Sequence, residues 1–174
     1  MRPNIFASNL LRACACVFAG YPYVSTLADT GDHDVSGDEA FIADAALRNM
    51  AEIELSRVAV RSADSESVRQ FATTMLQEHT ANESKLASIA EREHIPMPVA
   101  PDSDHMQLRD KLIALRGKEF DDTYMDAMRS DHAKMADFLV GAQTMVATDE
   151  LRSFINNTLP VVQRHLRMAQ AMKS

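Results

Sequence analysis

Glycine, proline and cysteine are all scarce in this chain, with 5, 6 and 2 in 174 residues. Few turn residues, and no β-branched runs of period two, exclude a fold of many short strands. Glycine-rich phosphate loops and dinucleotide motifs are absent, as is any nucleophile-plus-base arrangement. Basic charge is in deficit too: 18 Lys and Arg stand against 25 Asp and Glu, a net −7. Phosphate binding rests on a basic surface, so no nucleic-acid partner is expected. The charges are interspersed and form no acidic tail. This length suits one domain with a proper core, not comfortably two.

Both cysteines, Cys14 and Cys16, fall in the first 28 residues. There Arg2 and Arg12 are basic, the stretch ACACVFAG is apolar, and TLA ends at Ala28 with small residues at its last and third-last positions. This is the layout of a secretory signal peptide over 1–28. Its apolar stretch is too short for a spanning helix, which needs about 20 residues. The expected product is exported and periplasmic, with no transmembrane anchor after processing. Acylation of Cys14 as a lipoprotein is the weaker alternative, because the arginine in LRAC fits that signal badly. Cleavage would leave 16 basic and 25 acidic residues, a net −9, and no thiol. Thiolate metal ligation is thereby excluded.

After a polar Gly/Asp-rich lead-in over 29–37, the sequence reads as helix nearly throughout. Apolar residues recur at helical spacing in four segments, about 38–63, 65–93, 118–146 and 149–173. The first buries a face of Phe41, Ile42, Ala45, Glu52, Ala59 and Val60. In the second that face holds Val68, Phe71, Ala72, Met75, His79, Leu86 and Ala90. Phe120, Tyr124, Met128, Met135, Phe138 and Leu139 form it in the third. Leu151, Ile155, Thr158, Val162, His165, Leu166 and Ala169 form it in the fourth. Short polar breaks at Ser62 and Ala147 make two antiparallel hairpins. The prolines of HIPMPVAPDSD separate them, followed by an amphipathic segment MQLRDKLIAL that caps the bundle or runs along its side. The expected fold is all-α, an antiparallel four-helix bundle over 38–174 with a short extra helix between the second and third long ones.

Two fragments, QEHTANE and SDHAKMA, each place an acid directly before a histidine inside a long helix. His79 lies at the centre of its apolar face, His132 at the edge of its own, and His165 between Thr158 and Ala169. Glu52 shares its angle with Ala45 and Ala59. Glu52, His79 and His132 fall near helix midpoints, and His165 about one turn beyond. Midpoints meet whichever way a helix runs, so one carboxylate and three imidazoles converge at one level. That set suits a divalent first-row metal such as zinc, copper or iron. Glu52, His79, His132 and His165 are the expected ligands, with Asp131 and Glu83 behind them or substituting.

The competing reading is a hydrogen-bonded polar layer with no metal. Met75, Met128 and Met135 would add thioethers suited to Cu(I), but methionine is also ordinary core filler. The Glu-x-x-His pairs of di-iron bundles are missing, since Leu76 and Arg129 hold the positions three before His79 and His132. Pro160 falls inside the last helix. His33, His94 and His105 are expected to be solvated.

The stretches NMAEIELSRVAV, VRQFATTMLQEHT, EFDDTYMDAMRSDHAKM and LRSFINNTLPVVQRHLRMAQ together resemble the bacterial exported, ferritin-like "domain of unknown function 4142". The matching features are Glu52, His79, His132, Pro160 and His165, across roughly residues 38–172. Glu83 departs from the pattern, where the family more often carries asparagine. The resemblance implies a ferritin-like bundle outside the cytoplasm and no established activity. Two functions remain: an exported bundle binding one transition metal, or a structural or stress-related interaction module of the cell envelope with a metal-free polar layer. An enzyme would need a fuller catalytic constellation than this.

Overall fold

A computed structural model describes residues 37–172. The expected signal peptide and nearly all of the lead-in lie outside the described residues. Five helices and no strand occur among those described: α1 Gly37–Ser62, α2 Glu66–Arg92, α3 Ser103–Ala114, α4 Gly117–Ala142 and α5 Asp149–Ala171. The four long ones match the expected segments within a few residues. α4 stops at Ala142, short of 146, because a turn there carries Val146 into the core. None of the five is long and apolar enough to cross a membrane.

α1 packs on α2, α4 on α5, α1 on α4 and α2 on α5, so the four long helices enclose a common interior. α3 lies along the side, against α1 and α4. Two buried aspartates tie the ends. Asp121 accepts from the amides of Asp64 and Ser65 in the α1–α2 turn, at 2.9 and 2.7 Å. Asp38 accepts from the amides of Ala147 and Thr148 ahead of α5, at 2.6 and 3.2 Å. Both satisfy donors near helix N-termini, where negative charge is also favoured by the helix dipole. Gly37 is required where it stands: a Cβ there would lie 2.4 Å from the carbonyl oxygen of Met145.

The interior is divided. One apolar cluster gathers Phe41, Ile42, Leu86, Leu139, Leu151 and Phe154 among others. A second gathers Leu55, Phe71, Met75, Phe120, Tyr124 and Met128. On each long helix a polar residue separates the stretches that feed the two clusters: Asn49 and Glu52 on α1, His79 on α2, His132 on α4 and His165 on α5. Burying such groups is costly unless they find partners. Their partners therefore decide what this layer is for.

Candidate metal centre

His79, His132 and His165 are each buried, and one ring nitrogen from each lies within 4.8 Å of the others. Their ring centroids are 5.3–5.5 Å apart in all three pairs. The outer nitrogen of each ring is occupied. His132 Nδ1 donates to the Met128 carbonyl at 2.9 Å, and a carbonyl can only accept. His79 Nδ1 donates to Asn49 Oδ1 at 2.8 Å. The orientation of Asn49 is set by its amide nitrogen, which donates to the His79 carbonyl and to Glu83 Oε2. His165 Nε2 donates to Glu78 Oε2 at 3.0 Å, and the Arg164 guanidinium reaches the same carboxylate.

These bonds fix the tautomers and leave one lone pair per ring: Nε2 of His79, Nε2 of His132 and Nδ1 of His165. The last is buried with no partner. The first two face each other at 3.4 Å, acceptor to acceptor. Two neutral imidazoles gain nothing from that approach unless an electrophile lies between them. On a tetrahedral ion with metal–nitrogen bonds of about 2.0–2.1 Å, two ligand nitrogens stand about 3.3 Å apart. The His79–His132 spacing matches. Donating the outer N–H to a fixed acceptor is also how protein histidines are aimed at metals.

Protonation agrees with ligation. Burial pushes His79 well below its ordinary value, helped by His132 and His165. Burial and then His165 push His132 down to about 4. His165 is lowered by burial, against the pull of Glu78. All three imidazoles are neutral at neutral pH, as a metal requires.

Glu52 is not part of the nitrogen triangle. Its Oε1 lies 3.6 Å from His132 Nδ1, on the far side of that ring from the lone pair, and its Oε2 has no partner. Asn49 and Glu52 sit one turn apart on α1, so α1 backs two of the rings and supplies no nitrogen to the triangle. Burial, then Asp131, holds the Glu52 carboxyl well above the usual range. Asp131 and Glu83 also lie outside the triangle. Glu83 bonds Asn49, while Asp131 lies 3.5 Å from His105 Nε2.

His105 is not solvated as expected. On α3 it is clasped between Asp102, at 2.5 Å, and Asp131. The bond to Asp131, then against burial the bond and charge of Asp102, raise it to about 9. Asp131 is the better shielded acid, with 17% of its side chain exposed against 39% for Asp102, so its longer contact counts for more. His94 is exposed as expected, and His33 lies outside the described residues. Asn49 and Asn82 join the layer without having stood out in the sequence pattern, and Glu78, the acid before His79, joins it by bonding His165 instead. Asn82 accepts from Thr158 at 3.1 Å, joining α2 to α5 beside the cluster.

Two cavities flank the triangle. One of about 320 Å³ lies between α2 and α5 and is lined by both His79 and His165. The other, about 90 Å³, is lined by Glu52, His105, Asp131 and His132.

The fold and this centre define an all-helical protein with a buried three-histidine layer. The chain belongs to the family described as "Domain of unknown function (DUF4142)", whose model matches residues 25–172. None of the curated proteins matches it. Among solved structures it is similar to the "putative secreted protein DUF305" of Streptomyces coelicolor, with 18% identity and a TM-score of 0.67, covering 77% of this chain and 88% of that one. A DUF305 fragment from Deinococcus radiodurans has 10% identity and a TM-score of 0.69, covering 77% and 93%. At these identities the likeness is one of fold alone.

Proposed function

We propose that this is an exported, ferritin-like four-helix bundle that binds one divalent transition metal through His79, His132 and His165. Zinc, copper and iron all suit imidazole nitrogen. One observation carries the reading: three neutral rings whose N–H groups have acceptors, with one nitrogen from each ring within 4.8 Å of the others. A purely structural polar layer would turn at least one N–H inward to bond a neighbouring nitrogen. Glu52 backs His132 and is not a ligand in this reading. No reaction is assigned.

The ferritin-like topology is supported by the end contacts. Asp121 near the start of α4 meets the α1–α2 turn, and Gly37 meets the end of α4. The link through α3 is then a long crossover, and every neighbouring pair of long helices is antiparallel. Export is supported by the signal-like first 28 residues and by the word "secreted" in the name of one structural neighbour.

Calorimetric titration of chelator-stripped protein with Zn²⁺, beside a His79→Ala, His132→Ala double variant, tests the site. One equivalent should bind tightly to the parent and none to the variant. Equal weak uptake by both would leave a metal-free polar layer and a structural role.

A further inference from the structure

The cavity between α2 and α5 opens on two of the three rings, and its lining is mixed in a definite way. Phe154 and Val162 are buried apolar walls. Asn82, Asn157 and Thr158 add amides and a hydroxyl, and the exposed Lys85 brings a positive charge to the rim. At about 320 Å³ it has the size of a small-molecule site, which runs from about 300 to 1,000 Å³. The cavity on the opposite side, about 90 Å³, has room for little more than water.

Charge selects the occupant. Three neutral imidazoles compensate none of the charge of a divalent ion, and three ligands leave a tetrahedral ion one open position. The nearest carboxylate on the cavity side, Glu78, is already shared by Arg164 and His165. Glu52 stands behind His132 and offsets at most one charge. A buried uncompensated charge is costly, so an anion at the open position is favoured over water, and the apolar walls favour one with an apolar body.

We infer that the α2–α5 cavity is the binding site for a small organic carboxylate, whose head group takes the metal's open position and whose apolar body lies against Phe154 and Val162. This rests on the metal reading above. The carboxylate would enter past Lys85, with Asn82 and Asn157 as hydrogen-bond partners near the mouth.

Cobalt(II) is the probe, because its visible spectrum reports both its own binding and the exchange of its fourth ligand. The cobalt-loaded protein is titrated with benzoate and with formate. Benzoate should shift the spectrum saturably and bind about tenfold or more tighter than formate, from burial of its ring. Ala81→Phe and Asn157→Phe, exposed positions on opposite walls of the cavity, should each weaken benzoate by about tenfold or more while cobalt binding persists. Lys85→Gln should weaken it only a few-fold, as an exposed charge does. If cobalt binds but benzoate leaves its spectrum unchanged, the carboxylate site is overturned and the metal centre stands. The carboxylate site is equally overturned if formate binds as tightly, or if both phenylalanine variants bind benzoate like the parent. If cobalt itself does not bind, the metal reading fails, and this inference with it.

Discussion

His132 and His105 belong to two neighbourhoods that meet at Asp131, and they are driven in opposite directions. His132 is buried among other imidazoles and held near 4, whereas His105 is half-buried between two acids and raised to about 9. In neither fragment that places an acid before a histidine does the acid bond the histidine beside it. Neighbours on a helix point about 100° apart. Glu78 therefore turns to His165 on α5, and Asp131 to His105 on α3. What sets each charge is the surroundings packed across from it, so the triad is kept neutral and the clasp already holds its proton.

The largest effect should separate the two neighbourhoods by metal. At about 1,000 times the dissociation constant, a ligand that binds only the folded state stabilises it by about 4 kcal/mol. Zinc should raise the melting temperature of the parent and of His105→Ala, and leave that of His79→Ala unmoved. A shift that survives His79→Ala but vanishes in His105→Ala would reverse the assignment.

Acid comes next. The folded values of His79, His132 and His165 lie below that of an unfolded histidine, about 6.5, so the unfolded chain takes up protons that the native state refuses. Metal-free stability should be full above about pH 6.5 and fall as pH drops toward 4. With His132 held near 4, that residue alone implies a loss of about 2 kcal/mol at pH 5, readable as a lower urea midpoint. Asn49→Ala should cost on the order of 1–2 kcal/mol, because it strands the Nδ1–H of His79 and one bond to Glu83. In the same variant zinc affinity should fall about tenfold or more, since the tautomer of His79 is no longer fixed.

Alkali should act on the clasp alone, with the opposite sign. The folded value of His105 is raised, so its contribution is complete below about 6.5 and is lost as pH climbs through 9. Solvent screening keeps it under about 1 kcal/mol. The loss should disappear in His105→Gln. The smallest effect lies in neither neighbourhood. His94 follows α2 with φ 57°, bonding as the left-handed residue that ends a helix, with the Ile95 amide reaching the Ala90 carbonyl at 2.9 Å. His94→Gly should gain about 0.5 kcal/mol. Unchanged zinc affinity in that variant would serve as the control for the others.

The helices and the three histidines were legible because both follow from periodicity. A 3.6-residue repeat fixes which side chains face inward, and helix midpoints coincide in any topology. Glu52 met the same criteria but lies outside the nitrogen triangle, behind His132. Facing inward at the right level does not say on which side of a neighbouring ring a carboxylate will fall. Asn49, the partner of Glu78 and the clasp around His105 were not legible for a related reason. Each depends on which helix packs beside which: α1 against α2 for Asn49, α2 against α5 for Glu78, and α3 along α1 and α4 for His105. Lateral order is set by the long connection and by end ties such as Asp38 and Asp121, whose partners are more than fifty residues away.

X-ray absorption at the zinc edge of the zinc-loaded protein tests the three-histidine centre most directly. The centre predicts three imidazole nitrogens and one further light atom, all at about 2.0–2.1 Å. A shell of oxygens without imidazole scattering, or a sulfur neighbour at about 2.3 Å, would contradict it.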